Sequence, residues 1–138
     1  MLLVSCQHFE SKGGATTPLP PRDNTLSLFA LGRESLDRNR FEAAHFSQGT
    51  WTLSPRETAK VRRVAEHLKP GTPLLLAGFG VEAEGPEAAR ILSMRRALEV
   101  RQLLMACGVD ASTIHCTGFG ADWPGESHSA RVEFGVVK

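Results

Sequence analysis

The chain has 138 residues, 41% hydrophobic and 22% charged, with 16 basic against 15 acidic side chains and a net charge of +1. That length suits one domain with a single core. The near-even charge argues against nucleic acid as the main partner, which calls for a basic excess, and no stretch reaches the roughly 18 to 20 apolar residues of a membrane-crossing helix.

The chain begins Met1-Leu2-Leu3-Val4-Ser5-Cys6. Leu3-Val4-Ser5-Cys6 resembles the lipobox of bacterial lipoproteins, in which the cysteine is lipidated and becomes the mature N-terminus. A signal segment also needs a basic region and a longer apolar core, so two readings stand. Cys6 closes a signal that begins upstream, or it is an ordinary cysteine near a chain end. Residues 7–39 read as a flexible tether, with Gly13-Gly14, Pro18, Pro20 and Pro21 and no helical or strand period. Within it, Leu26, Leu28, Phe29 and Leu31 could form a short element that packs on the domain.

The domain is expected over 40–138. Phe41 to Ser47 reads as a strand. Ser54-Pro55-Arg56-Glu57 starts a helix, with Ser as N-cap, Pro at the first helical position and Glu placed for a capping box. Val61, Val64, Ala65 and Leu68 give it one apolar face, and Pro70-Gly71 ends it. Leu74 to Ala77 reads as a buried strand. Pro86 to Cys107 is a long helix with an apolar stripe of Leu92, Val100, Leu103 and Leu104, closed by Gly108 at the C′ position. Ser112 to Thr117 and Ala130 to Val137 are two further strands; in the last, Val132, Phe134 and Val136 alternate with Arg131 and Glu133. The order β-α-β-α-β-β predicts an α+β, two-layer fold: a mixed four-stranded sheet with two helices on one face. Cys107 and Cys116 are expected to be reduced and buried, because a helix end and a strand interior seldom bring two Cβ atoms close enough to bridge.

Four segments in register resemble the OmpA-like domain family of the peptidoglycan-associated lipoprotein type. They are Phe46 through Leu53-Ser54-Pro55, the helix segment Leu92-Ser93-Met94-Arg95-Arg96-Ala97-Leu98-Glu99-Val100, the turn at Gly108-Val109, and Gly118-Phe119-Gly120-Ala121-Asp122-Trp123-Pro124. The resemblance implies non-covalent binding of peptidoglycan through the diaminopimelate of its stem peptide. In that family an Arg clamps the ligand carboxylate with paired, charge-assisted hydrogen bonds, and an Asp accepts from the ammonium. The Arg falls on Arg96. The Asp turn falls on Gly78-Phe79-Gly80-Val81, so Val81 stands where the acid would be, and Ala89 replaces a family Asn. Glu82 and Glu84 share the loop and could supply the acid on a longer arm. The basic motif before the last strand is reduced to Ser129-Ala130-Arg131-Val132. The expected ligand residues are thus Arg96, Gly78, Phe79, Glu82, Glu84 and Arg131, with Cys6 as lipidation site.

Plainer readings stand beside these. Arg96 could reach solvent from the helix face or pair with Glu99, Glu82 or Glu84. Arg90, Arg95, Arg101, Lys60, Arg62 and Arg63 read as solvated helix faces. The five histidines lack metal-ligand spacing, Ser93 lacks a nucleophile elbow, and Gly78-Phe79-Gly80 is not a dinucleotide fingerprint. The sequence therefore predicts no cofactor, no metal and no enzyme. Three functions remain: a lipid-anchored, peptidoglycan-binding module on the periplasmic face of the bacterial outer membrane; a scaffold of the same fold that has lost its ligand and contacts envelope proteins; and, ranked last, an unrelated small enzyme.

Overall fold

A computed structural model describes residues 36–81, 84–121 and 129–137. Cys6, the tether before Leu36, Glu82 and Asp122-Trp123-Pro124 lie outside them. The elements are β1 (Leu36–Asp37), β2 (Ala44–His45), α1 (Pro55–His67), β3 (Leu74–Phe79), α2 (Pro86–Ala106), a 3-10 turn (Ala111–Thr113), β4 (Ile114–Gly120) and β5 (Arg131–Val137).

Among the described residues the sheet is mixed and has five strands rather than four. β3 runs parallel to β4 and antiparallel to β5. The outer edge of β5 is shared: β1 pairs at one end, Leu36 opposite Val137, and β2 at the other, Ala44 opposite Val132. The extra strand comes from residues read as tether, so the sheet begins at Leu36, ahead of the expected boundary at Arg40. A forked ion pair reinforces this start, with Arg38 Nε and Nη2 donating to Glu133 Oε1 at 3.1 and 2.8 Å. The expected strand over Phe41 to Ser47 narrows to Ala44–His45. Phe46 N–H still reaches Ala130 O at 2.9 Å, and the chain then turns through Gly49 at φ 73°.

Ser54 caps α1, its hydroxyl accepting from the Glu57 N–H at 3.3 Å. The Glu57 carboxylate is used across the fold, accepting from the His45 N–H at 2.8 Å and from Lys60 at 3.0 Å. Burial works to raise its pKa, but these donors prevail and hold it below the usual carboxylate range. α1 is thereby fastened to the end of β2.

The alternation in β5 sends Val132, Phe134 and Val136 toward the helices, where they meet Leu74, Leu76, Val61, Val64, Ala97, Val100, Leu103 and Leu104 in one core. The unbroken apolar run in β3 has the other consequence expected of it. Leu75, Ala77 and Phe79 are also buried, on the opposite face, in a second cluster with Leu36 and Phe119. The buried stripe of α2 departs from expectation: it runs Ala89, Ser93, Arg96/Ala97, Val100, Leu103/Leu104 and Cys107, and Leu92 is only half-buried. The first half of the stripe is small or polar because the helix presses directly on backbone there. Gly78 and Gly118 are paired neighbours on β3 and β4, and Ser93 sits over them. A Cβ on Gly78 would lie 2.0 Å from Ser93 O; one on Gly118 would lie 2.5 Å from Arg90 O and 2.6 Å from Met94 N.

Gly108, at φ 95°, ends α2 as expected, with Val109 N–H returning to Leu104 O at 3.0 Å. Cys116 carries no disulfide, so no bridge joins it to Cys107.

The glycine seat makes a stability prediction. Gly118→Ala forces helix backbone away from the sheet and is expected to cost about 3 kcal/mol, at the upper end of overpacking penalties. Gly49→Ala meets nothing within 4 Å and is expected to cost only its left-handed φ, about 1 kcal/mol. Urea midpoints at constant m-value check both.

Candidate ligand-binding site

Three segments converge at the ends of β3 and β4: the loop from β2 to α1, the turn after β3, and the first half of α2. Ser93 Oγ donates to Arg90 O at 2.9 Å and accepts from the Gly120 N–H at 3.0 Å, while Gly80 N–H donates to Gly120 O at 3.1 Å. These bonds fix where α2 stands, and so where Arg96, one helical turn on, points its side chain.

Arg96 is fully buried. Its Nε donates to Thr50 O at 2.8 Å, Nη1 to Phe79 O at 3.4 Å and Nη2 to Ser47 O at 3.5 Å, and the guanidinium carbon lies 5.5 Å from the Phe46 ring centre. The side chain thus does not snorkel. It is a cation held in the seam between a loop, a helix and a strand end, where a charge needs close polar partners. The Thr50 bond has ordinary length, whereas the two others exceed the usual 2.7–3.2 Å range for such bonds.

The remaining expected residues fall on different sides of this seam. Phe79 offers Arg96 its carbonyl but turns its ring to the opposite sheet face, where it stacks on Phe119 at 5.4 Å. Arg131 pairs with Phe79 across the strands and lies over that ring at 4.3 Å. Its Nε and Nη2 donate to Glu133 Oε2 at 2.9 and 2.7 Å, and its Nη1 donates to Ser129 Oγ at 3.2 Å. Arg96 and Arg131 therefore approach Phe79 from two sides and are not brought together. Gly78 lies under Ser93 as a packing position. Val81 is 50% exposed and Glu84 is exposed at the rim, while Ala89 is buried.

Sequence reasoning missed Ser47, Thr50 and Phe46 as surroundings of Arg96. Ser47 and Thr50 act through main-chain oxygens, which carry no side-chain signature. It also missed Arg95, read as a solvated face, whose guanidinium carbon lies 5.5 Å from the Trp51 ring centre. Arg90 does behave as a surface cation, paired with Glu87 at 2.8 Å. Among the described residues no group of His, Cys, Asp and Glu could hold a metal, and no helix is long and apolar enough to cross a membrane.

The sequence matches the OmpA family over residues 45–135. The chain belongs to that family. Solved structures show the same fold in OmpA-family and related domains. The C-terminal domain of Helicobacter pylori MotB is similar at 17% identity and TM-score 0.59, covering 68% of this chain and 82% of that one. The peptidoglycan-associated lipoprotein from Burkholderia pseudomallei is similar at 21% identity and TM-score 0.58, covering 69% and 87%. The OmpA-like domain of FopA1 from Francisella tularensis is similar at 19% identity and TM-score 0.55, covering 70% and 72%. No curated protein matches the sequence.

For this OmpA-family domain, the burial of Arg96 predicts a structural cost on its removal. Arg96→Ala strips a donor from each of three carbonyls and leaves a cavity, and is expected to destabilise the fold by about 3 kcal/mol. Arg96→Lys keeps the charge but not the planar fork, and is expected to recover about half of that loss. Chemical denaturation of the three proteins measures both.

Proposed function

We propose that this OmpA-family domain is a non-enzymatic envelope module that holds peptidoglycan non-covalently through the diaminopimelate of its stem peptide. The observation that carries the reading is Arg96, at the family's clamp position, in the seam where the loop carrying Thr50 meets the turn that ends at Val81. The Thr50 contact anchors the guanidinium. The long contacts to Phe79 O and Ser47 O are those a ligand carboxylate would replace, exchanging two weak neutral acceptors for a charged one. Glu82 or Glu84 would then face the ligand's ammonium in place of the family Asp, the Phe79 carbonyl would lie at the floor of the site, and Gly78 would act only by seating α2 through Ser93. Arg131 would contribute charge from the far side of Phe79.

A second reading has its own support. Arg96 has no exposed surface, and Val81 and Ala89 replace two family ligand groups. Both favour an OmpA-like scaffold that has exchanged its ligand for contacts with envelope proteins.

The two readings separate by titration of a soluble diaminopimelate-containing peptide. Wild type is expected to bind weakly and less tightly at high salt. Val81→Asp restores an acid at an exposed position and is expected to tighten binding by about 1.5–3 kcal/mol, roughly ten- to a hundredfold. Arg96→Lys, which stays charged, is expected to lose the paired carboxylate contact. Curves for Arg96→Lys and wild type that coincide would leave the scaffold reading in front.

We also propose that Cys6 carries lipid and anchors the domain at the periplasmic face of the outer membrane. The Leu3-Val4-Ser5-Cys6 segment supports this, as does the Pro- and Gly-containing tether that would let the domain reach away from a bilayer. Each buried methylene would contribute about 0.8 kcal/mol to anchoring. A sulfur that bears a thioether-linked lipid cannot also form a disulfide. Non-reducing mass spectrometry of membrane-extracted protein is expected to find a lipid-modified N-terminal peptide beginning at Cys6; a Cys6–Cys107 linked peptide in its place refutes the anchor.

A further inference from the structure

The face of the sheet turned away from the helices has its own apolar cluster: Leu36 on β1, Leu75, Ala77 and Phe79 on β3, and Phe119 on β4. None exceeds the 7% exposure of Leu75, and Ala77 and Phe79 stand at 0%. Among the described residues the cluster holds strand residues only, because α1 and α2 pack on the opposite face. Neighbours within the sheet do not account for this dryness. Leu75 pairs on one side with Gly135, which has no side chain, and on the other with His115, which is exposed. A single layer of side chains cannot bury its own tips, so a sheet face this dry needs a second layer over it. That layer has an edge, since Val137 on the same face is 38% exposed.

We propose that Leu26-Ser27-Leu28-Phe29-Ala30-Leu31 supplies this second layer, as an intramolecular strap docked across the face. The segment has no charged residue, and Ser27 is its one polar side chain. It runs into β1 at Leu36, which is itself a member of the cluster. Its reach also suits the task. Leu31 lies five residues before Leu36, and five extended residues span about 16 to 18 Å. The strand order β1-β5-β3-β4 puts Phe119 three strand spacings from Leu36, roughly 14 Å. The strap can therefore cross β5 and β3 and arrive over β4. The connection from β4 to β5 is a poorer cover, since residues 121–130 hold one large apolar side chain, Trp123. Burying the strap and the face against each other removes apolar area from water on both. Two consequences follow for the molecule. Residues 25–35 belong to the folded domain, which leaves 7–24 as tether. The strap also rests on the ring of Phe79, whose carbonyl accepts from Arg96, and so braces the strand end that borders the seam. None of this depends on which ligand the seam takes.

The test uses the full chain and two independent readouts. In the first, Leu28→Cys and Thr16→Cys are labelled with a maleimide, and mass spectrometry locates the label. Leu28→Cys is expected to react at least roughly tenfold more slowly than Thr16→Cys, as for a group exposed only by local opening, and the two rates are expected to converge in urea above the unfolding transition. In the second, the double variant Leu28→Asp, Phe29→Asp is expected to keep a cooperative urea transition at a lower midpoint and to bind a hydrophobic dye more strongly than wild type. Thr16→Asp, in the tether, is expected to change neither. Equal labelling rates in native protein overturn the strap, as does a double variant with the wild-type midpoint and dye binding. Two other covers would show themselves and also overturn it. A second copy would appear as a dimer in sedimentation, with dye binding that rises on dilution. The connection between β4 and β5 would respond to Trp123→Ala while the double variant stayed silent.

Discussion

Helix α2 reaches the sheet at a point where two adjacent strands have no side chains. Gly78 and Gly118 lie side by side, and the backbone of Ser93, Arg90 and Met94 occupies the space their Cβ atoms would need. Without this seat the helix would stand off by the thickness of a side-chain layer. The distance matters because three hydrogen bonds depend on it. Ser93 Oγ reaches Gly120 N–H only from there. Arg96, one turn further along the same face, reaches Phe79 O in the strand and Thr50 O in the loop only from there. Close packing, which glycine permits and any Cβ would block, therefore sets the geometry of the polar seam.

The seam has an electrostatic consequence. Phe79 divides the molecule: its main-chain oxygen accepts from Arg96 on the helix side, and its ring lies beneath Arg131 on the other side. Arg131 is balanced by Glu133, whose second oxygen holds Arg38 at the start of the sheet. One carboxylate thus serves two guanidinium forks and ties β1 to β5. In the seam, Arg96 donates to the main-chain oxygens of Thr50, Phe79 and Ser47.

Much of this was legible in the sequence, and the parts that were not have physical reasons. The 2-residue alternation of Val132, Phe134 and Val136 marks β5, and the unalternating Leu74-Leu75-Leu76-Ala77 marks a strand buried on both faces. Ser54-Pro55 and Gly108 mark helix ends by backbone chemistry that depends on residue type. The first strand resisted reading because its outer position is divided between Leu36–Asp37 and Ala44–His45, each too short to show a period. The stripe of α2 was drawn through Leu92 because Leu is apolar. The helix instead buries Ser93 and Ala89, which suit a glycine seat better than leucine does. Gly78 could be aligned with a ligand turn, but only three dimensions reveal Ser93 directly above it.

Arg96 shows where sequence and structure each stop. The family resemblance singled it out, and its burial was half-readable from the spacing to Val100. Its partners were not, since main-chain oxygens are present at every residue and only the fold selects which three point inward. The unequal lengths of those contacts suggest how one residue can serve both structure and ligand. A guanidinium has a rigid five-donor fork, so one edge can stay bonded to Thr50 O while the other changes acceptor. The cost of that exchange is small when the displaced acceptors lie at 3.4 and 3.5 Å, beyond the usual bonding range. A side chain fixed at one edge loses little further entropy when it binds at the other, whereas an exposed arginine would have to be ordered first. On the proposed peptidoglycan reading, burial of Arg96 is preorganisation, and the exposed Val81 at the rim is the position where an acid would meet the ammonium of a zwitterionic ligand.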